Sequence, residues 1–253
     1  MHRFLITALA GAALMAASAT QAAETPEAPA HDWSFTGLFG TYDRDALRRG
    51  FQVYKEVCAV CHAMNRVAYR NLGSIGFAGG EITEIAAEYE VEDGPDEDGE
   101  MFFRPARPSD RFVSPFENEA AARAANGGAY PLDLSLIVKA REGGADYIRA
   151  LLVGYRDEPP EGFELNVGMY YNDYFPGHQI AMPPPMVEDQ VEYEDGTPAT
   201  VEQMAEDVTV FMTWAASPEM EARKNMGISV LIFLVVLTGM LYALKRQIWS
   251  DVH

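Results

Sequence analysis

The sequence predicts a mostly α-helical, exported body followed by a single membrane-spanning helix. Three observations lead to this prediction. Apolar residues recur at three- and four-residue steps in well-capped segments, alternating strand patterns are almost absent, and a long uncharged run lies near the C-terminus. A chain of 253 residues, 48% of them hydrophobic, can bury a sizeable core in one or two domains.

Residues 1–23 have the pattern of a secretory signal peptide. Arg3 supplies a positive start, an apolar stretch runs from Phe4 to Met15, and small residues up to Ala23 offer a cleavage site. We therefore expect the mature chain to begin near residue 24 and its folded body to be exported.

The first helix of the mature chain is predicted to begin after Asp43, a favourable N-cap residue. An irregular lead-in, 31–42, precedes it and is expected to pack on the core through its aromatic residues. The apolar positions of the helix recur at helical spacing and predict one buried face, made by Leu47, Gly50, Phe51, Tyr54, Val57 and Cys58.

The stretch Cys58-Ala59-Val60-Cys61-His62 closes this helix and matches the C-x-x-C-H haem attachment signature. Thiols at this spacing reach both vinyl groups of one porphyrin, and His62 then lies under the iron as proximal ligand. Cys58 and Cys61 are the only cysteines, so a zinc site lacks its second ligand pair. A thioredoxin-like redox pair needs a βαβ context, and none is apparent around the motif. A disulfide across so short a loop would stabilise the fold little. We predict one covalent haem c.

The segment 81–100 is strongly acidic and is predicted to be an exposed loop, because Gly94, Pro95 and Gly99 interrupt it. Either it docks a partner or it is merely solvated. The whole chain carries a net charge of −19, which excludes a nucleic-acid partner and favours a basic protein partner.

Two short helices and a long loop follow. Asp133 is expected to cap a helix over 134–141, and Asp146 a helix over 147–153. Residues 155–186 are rich in Pro, Gly, Tyr and Asn, which predicts a loop. A hairpin over 187–196 is a weaker prediction.

A methionine is the expected sixth haem ligand if the protein carries electrons, because a thioether raises the haem potential. Met182 lies far along the chain, in a loop stiffened by three prolines. Met186 follows the same prolines and is its main rival. Met64 is too close to Cys61 to reach the opposite haem face, and Met204 is needed for packing. The remaining candidates are Met101 and Met169. With the sixth position open, the protein would instead be a haem enzyme or a gas sensor.

The C-terminal part is predicted to hold two helices. Thr200-Val-Glu-Gln203 forms a capping box that opens a helix to Ala216. Ser217-Pro218 then starts a helix that continues into the membrane.

The predicted membrane span covers residues 226–244 and contains no charged residue. Its length is about 28 Å, close to the roughly 30 Å thickness of a hydrocarbon core. The predicted organisation is an exported domain over 24–216, and an anchor with a short cytoplasmic tail over 217–253. Basic residues flank both ends of this helix equally, so the positive-inside rule does not orient it. The signal peptide sets the orientation instead.

A set of short motifs runs through nearly all of the chain after the signal peptide. They are Trp33-Ser-Phe, Phe39-Gly-Thr, Arg49 to His62, Tyr69-Arg-Asn-Leu72, Asp133-Leu-Ser135, Ala140-Arg141, Gly143-Gly144, Tyr174-Phe-Pro-Gly177, Ile180-Ala-Met182-Pro183, Asp195-Gly-Thr-Pro-Ala-Thr200 and Trp214-Ala-Ala216. In these motifs the mature chain resembles the bacterial form of the cytochrome c1 family, the haem subunit of the cytochrome bc1 complex (quinol:cytochrome c oxidoreductase).

The resemblance implies a c-type cytochrome haem domain in which Met182, rather than Met186, is the sixth ligand, and in which Arg141 lies near a haem propionate. It implies a redox relay without catalytic residues of its own, which takes one electron from a Rieske iron–sulfur subunit and passes it to a soluble basic cytochrome c. Cytochrome b would be its membrane partner, in a bacterial inner membrane with the haem domain in the periplasm. The rival interpretation is another membrane-anchored c-type cytochrome, such as an oxidase subunit.

The first and last helices of such a domain are expected to cross at close range. Gly50 offers the small contact, and we expect Phe51 and Tyr54 to pack against Phe211 and Trp214.

Overall fold

The computed structural model describes residues 26–250, a helical body with one long helix at its C-terminal end. The helices are α1 (Arg44–Glu56), α2 (Gly79–Ala87), α3 (Glu119–Ala125), α4 (Gly144–Val153), α5 (Val201–Ala216) and α6 (Met220–Ile248). Antiparallel pairs join β1 (Glu90–Asp93) to β2 (Phe102–Pro105) and β3 (Tyr170–Tyr171) to β4 (Gln179–Ile180). The prediction of a mostly α-helical protein is confirmed. The predicted signal peptide, 1–23, lies outside the described residues.

Helix α1 forms as predicted, because Asp43 caps it and one face is apolar. The Asp43 carboxylate accepts hydrogen bonds from the backbone N–H groups of Asp45 and Ala46, at 2.9 and 3.1 Å. Leu47 and Phe51 are buried on the inner face. The helix therefore ends directly before the cysteine motif with its apolar side against the core.

Helices α1 and α5 cross at Gly50, as predicted. A Cβ atom added to Gly50 would lie 2.0 Å from the Asp207 carbonyl oxygen and 2.8 Å from the Phe211 Cβ atom. The Phe211 ring lies 5.6 Å from the rings of both Phe51 and Tyr54, and 5.4 Å from Trp214. These rings form the centre of the core beside the motif.

Residues 33–42 of the lead-in form a strap that contacts α4, the residue after α5, and α6. Trp33 Nε1 donates to the Asp146 carboxylate of α4 at 2.6 Å. Tyr42 donates through its hydroxyl to the Ser217 carbonyl at 3.1 Å, and through its backbone N–H to Glu221 of α6 at 2.8 Å. Lys224 of α6 donates to the carbonyls of Phe35 and Gly40. The strap therefore fixes the start of α6 to the body.

The acidic segment is not a loop throughout, and this prediction was wrong. Residues 81–87 belong to α2, and residues 90–93 form β1 of a hairpin. The Glu81 carboxylate caps its own helix by accepting from Ala78 N–H at 2.6 Å. Arg48 and Lys55 of α1 pair with Glu81 and Glu88 at 3.2 and 2.6 Å. Partners distant in sequence thus stabilise structure where local charge suggested a loop.

The helix predicted over 134–141 is only a short 3₁₀ turn, Leu134–Leu136. Asp133 does accept from Ser135 N–H at 2.8 Å, but the turn is not continued as a regular helix. Helix α4 begins earlier than predicted, at Gly144, because Gly143 adopts a φ of 80° as its N-cap. Asp146 is therefore not a cap. It is free to bind the strap.

The C-terminal helices differ from the prediction only at their starts. Thr200 caps α5 by accepting from Gln203 N–H at 3.1 Å, but the Gln203 side chain donates to Asp207 instead of closing the capping box. Helix α6 begins at Met220, two residues after Pro218, and is long and apolar enough to cross a membrane. The hairpin predicted over 187–196 is absent from the described chain, where these residues are irregular.

Candidate functional site

The cysteine motif folds into one tight turn directly after α1. A 3₁₀ turn covers Cys58–Val60, and the backbone N–H groups of Cys61 and His62 both donate to the Cys58 carbonyl, at 3.1 and 2.8 Å. Cys58 and Cys61 form no disulfide with each other, and both residues are partly exposed. Burial raises the pKa of the Cys58 thiol to about 12. The turn thus brings together two cysteines and a histidine, the attachment set of a c-type haem.

The His62 ring is oriented by the chain itself. Its Nδ1 lies 2.7 Å from the Leu132 carbonyl oxygen, and since a carbonyl only accepts, Nδ1 carries the proton. Nε2 then keeps its lone pair for a metal, the usual arrangement of an axial histidine. Burial also lowers the pKa of His62, which favours the neutral imidazole that ligates iron. These donors fit a haem iron.

A second segment supports the turn from outside. Asp133 accepts from Asn65 N–H at 2.9 Å, and Leu134 N–H donates to the Ala63 carbonyl at 2.8 Å. The Ser135 hydroxyl accepts from the backbone of Arg66 at 3.0 Å. The segment that follows Leu132 therefore clamps the residues after His62. Sequence reasoning assigned Asp133 to a helix cap and missed this role.

The methionines differ sharply in their exposure. Met182 is partly exposed, and its carbonyl accepts from the Tyr155 hydroxyl at 3.1 Å. Met186 is only 5% exposed and belongs to the hydrophobic core. Met64 and Met204 are fully buried. Of the two rivals in the proline loop, Met182 is the one whose side chain is left outside the core.

Arg141 is partly exposed, and its guanidinium donates to the carbonyl of neighbouring Ala140 at 3.1 Å. Within residues 26–250, no hydrogen bond joins Arg141 or Met182 to the cysteine turn. The structure therefore assembles Cys58, Cys61 and His62 in one turn, and holds Met182 and Arg141 on separate segments.

The loop that carries Met182 is organised by Asn172, which sequence reasoning did not single out. Asn172 is fully buried, and its amide donates to the Leu151 carbonyl at 2.8 Å. Its side-chain oxygen accepts from the backbone of Tyr174 and Phe175, at 3.0 and 3.1 Å. An asparagine among aromatic residues was the available signal, since such a residue can replace missing backbone partners in a buried turn.

A haem attachment turn on a helical body, joined to one apolar helix able to cross a membrane, defines a membrane-anchored c-type cytochrome. The comparison with known families makes the assignment specific. The Cytochrome C1 family model matches residues 33–252, so the chain belongs to this family.

Individual relatives agree with the family match. The chain is 54% identical to "Cytochrome c1" of Rhodospirillum rubrum over 236 residues, which cover 87% of each chain. It is 50% identical to "Cytochrome c1, heme protein, mitochondrial" of Saccharomyces cerevisiae, over 94% of this chain and 77% of the relative. It is also 47% identical to "Cytochrome b/c1" of Bradyrhizobium diazoefficiens, over 95% of this chain and 38% of that longer protein.

The predicted cofactor and function are confirmed by this membership. Proteins of the family bind covalent haem c, and Cys58 and Cys61 occupy the attachment positions. Cytochrome c1 is the haem subunit of the cytochrome bc1 complex, in which it works with cytochrome b, and its role is electron transfer.

Proposed function

We propose that this chain passes one electron from a Rieske iron–sulfur subunit to a soluble, basic cytochrome c, through a haem held between His62 and Met182. The complex is the enzyme, and this chain is a relay without catalytic residues of its own. The observation that carries the proposal is the His62 ring, whose Nδ1 is tied to the Leu132 carbonyl while Nε2 remains free to bind iron.

The exposure of the two proline-loop methionines supports Met182 as the sixth ligand. Moving Met186 to the iron would empty its place in the core, which costs about 2–5 kcal/mol for a side chain of this size. Met182 has no such cost, since it is partly exposed and lies outside the core cluster. A thioether ligand raises the haem potential, which suits an acceptor of electrons from an iron–sulfur centre.

Arg141 is proposed to bind a haem propionate. Its guanidinium has five N–H donors, and among residues 26–250 it makes one hydrogen bond, to the Ala140 carbonyl. The remaining donors can form the bidentate, charge-assisted pair that arginine makes with a carboxylate.

The haem domain, 24–216, is proposed to lie in the periplasm of a bacterium, held by the anchor 217–253 with its short tail in the cytoplasm. An N-terminal signal peptide and a C-terminal span together give this orientation. Helix α6 supports the assignment because it leaves the body at Met220 and exposes its apolar side chains along the span. Cytochrome b is the partner expected beside this helix in the membrane, as the name of the Bradyrhizobium relative suggests.

The axial ligand is tested by two matched variants, Met182→Leu and Met186→Leu. In Met182→Leu we expect the oxidised protein to lose the absorption band of the sulfur–iron bond, the midpoint potential to fall, and the reduced haem to bind carbon monoxide. Met186→Leu should keep all three properties of the wild type and lower only the unfolding temperature of the domain.

The opposite pattern, with ligation lost in Met186→Leu and kept in Met182→Leu, would contradict the assignment. A wild-type haem that binds carbon monoxide rapidly would indicate an open sixth position, and hence a haem enzyme or gas sensor instead of a relay.

A further inference from the structure

The segment 181–186 forms an arch between two fixed points. Before it, Ile180 pairs with Tyr170 in the β3–β4 ladder. At its far end, Met186 is packed in the core. Its middle consists of Met182 and three prolines, and prolines have no backbone N–H to donate. The arch therefore has few backbone N–H groups with which to form hydrogen bonds of its own.

One hydrogen bond holds this arch from outside. The Tyr155 hydroxyl donates to the Met182 carbonyl at 3.1 Å. In the part of the chain that the structure describes, no other hydrogen bond holds the backbone of 181–186. The contact falls on the residue proposed as the sixth ligand.

Tyr155 is itself rigidly placed. It follows Gly154, the residue that ends α4, and it forms an isolated β-bridge with the buried Asn172. The Gly154 carbonyl accepts from Asp173 N–H at 2.8 Å. A Cβ atom at Gly154 would lie 2.6 Å from a Tyr174 ring carbon, so the backbone packs closely at this point. The Tyr155 backbone is therefore held by the end of α4 and by Asn172, both outside the arch.

We propose that Tyr155 is a positioning residue for the sixth haem ligand, holding the Met182 backbone so that its sulfur stays over the iron. The inference rests on the proposed function, because it requires Met182 to be the ligand.

The test compares Tyr155→Phe with Tyr171→Phe in the full-length, haem-loaded protein. Tyr171 is a buried tyrosine of the same loop, and its hydroxyl makes no hydrogen bond within the described residues. Both variants keep the ring and lose one hydroxyl. Readouts are the sulfur–iron band of the oxidised protein, the midpoint potential, and the rate of carbon monoxide binding to the reduced haem, which requires the sulfur to leave the iron.

We expect Tyr155→Phe to bind carbon monoxide about 2- to 10-fold faster than the wild type, the factor that corresponds to loss of one neutral hydrogen bond. The sulfur–iron band should weaken and the midpoint potential should fall, while Tyr171→Phe matches the wild type. Haem content and the unfolding temperature are measured on the same samples.

If Tyr155→Phe shows wild-type ligation, with or without a lower unfolding temperature, Tyr155 is only structural and the inference is overturned. Equal effects of both tyrosine variants would overturn it too, because they would reflect general loosening of the loop. Met182→Leu separates this inference from the proposed function. If that variant keeps the sulfur–iron band, Met182 is not the ligand, whatever Tyr155→Phe does.

Discussion

Gly50 is the residue at which the two helices of the core come closest. An alanine at this position would place its Cβ 2.0 Å from a backbone carbonyl of α5, so the helices must separate. We expect Gly50→Ala to lower the free energy of unfolding by about 1–3 kcal/mol, the usual cost of overpacking. Denaturant unfolding followed by haem absorbance measures this.

Gly80→Ala is the matched control for this change. Gly80 lies in α2, and a Cβ atom there would meet nothing within 4 Å. Alanine favours a helix over glycine by about 1 kcal/mol, so this variant should be as stable as the wild type or slightly more stable. Equal destabilisation by both variants would show that the helix crossing does not depend on Gly50.

Arg49 joins α1 to two aspartates. It binds the fully buried Asp207 through two nitrogens, at 2.9 and 3.0 Å, and Asp195 through a third, at 2.8 Å. The pKa of Asp195 is lowered from 3.8 to about 2. The largest cause is the hydrogen bond from Thr197 N–H, and the next is the hydrogen bond from Arg49. The folded state therefore binds fewer protons at this site than the unfolded chain does between these two values.

The stabilisation from ionised Asp195 is complete above about pH 4 and is lost as the pH falls towards 2. We expect Asp195→Asn to have a lower melting temperature than the wild type at pH 7. The difference between the two melting temperatures should decrease as the pH falls from about 4 towards 2. Melting temperatures of both proteins across the pH series measure the effect. A gap that does not change with pH would exclude this carboxylate as its source.

Residue-scale prediction succeeded where the chemistry is local. Cys58, Cys61 and His62 are adjacent in the chain, so their spacing alone identified the haem that the family confirms. The roles of Tyr155 and Asn172 depend on contacts across 27 and 21 residues, which no local pattern reveals.

Among the elements, the strap over 33–42 gives α6 its fixed start. Lys224 donates to two strap carbonyls, at 2.7 and 2.9 Å, and Glu221 binds Arg44 at 2.5 Å. Hydrogen bonds and an ion pair in its first turns therefore hold α6 to the haem domain, in addition to the chain connection through Ser217.

Lys224→Met should destabilise the haem domain, because it leaves the part-buried carbonyls of Phe35 and Gly40 without their donor. The expected loss is about 1–3 kcal/mol. Lys245→Met is the control, since Lys245 lies at the far end of α6 and its loss should change stability by no more than about 0.5 kcal/mol. Thermal unfolding of the detergent-solubilised proteins compares them, and a larger effect of Lys245→Met would exclude the strap as the cause.

Element prediction followed the strength of local signals. Helices α1 and α5 combine good caps with apolar periodicity, and both were predicted. The acidic α2 and β1 were wrongly predicted as loop. Glu81 and Glu88 pair with Arg48 and Lys55, each 33 residues away, and Asp93 pairs with Arg104 of the next strand. A local charge pattern does not reveal such partners. The helix predicted over 134–141 is only the 3₁₀ turn Leu134–Leu136, although Asp133 caps it as expected. The cap residue alone therefore did not fix the length of the element.

On the scale of the whole molecule, the net charge of −19 would attract the basic acceptor proposed above. Opposite fields raise association rates from about 10⁵–10⁶ towards 10⁸–10⁹ M⁻¹s⁻¹ at low salt. Because the Debye length is about 10 Å at 0.1 M, salt should remove most of this gain. We expect electron transfer to a basic cytochrome c to slow steeply as ionic strength rises.

Two sets of five neutralising changes locate the docking surface. The first covers exposed acids of the hairpin and spares Asp93 and Asp96, which shape its turn: Glu90, Glu92, Glu97, Asp98 and Glu100. The control set removes the same charge from exposed acids elsewhere: Glu142, Asp157, Glu158, Glu161 and Glu164. If the hairpin docks, only the first set flattens the salt dependence. Equal effects would indicate that net charge alone matters, and a rate indifferent to salt would contradict the electrostatic account.

Single-turnover kinetics of the purified complex test the relay most directly. Quinol is added first, an oxidised basic cytochrome c second, and the haem absorbance of this chain is followed throughout. We predict that quinol reduces this haem, that the added cytochrome c reoxidises it, and that a complex lacking the Rieske subunit leaves it oxidised. Reduction by quinol without the Rieske subunit, or a reduced haem that soluble cytochrome c cannot reoxidise, would contradict the proposed route.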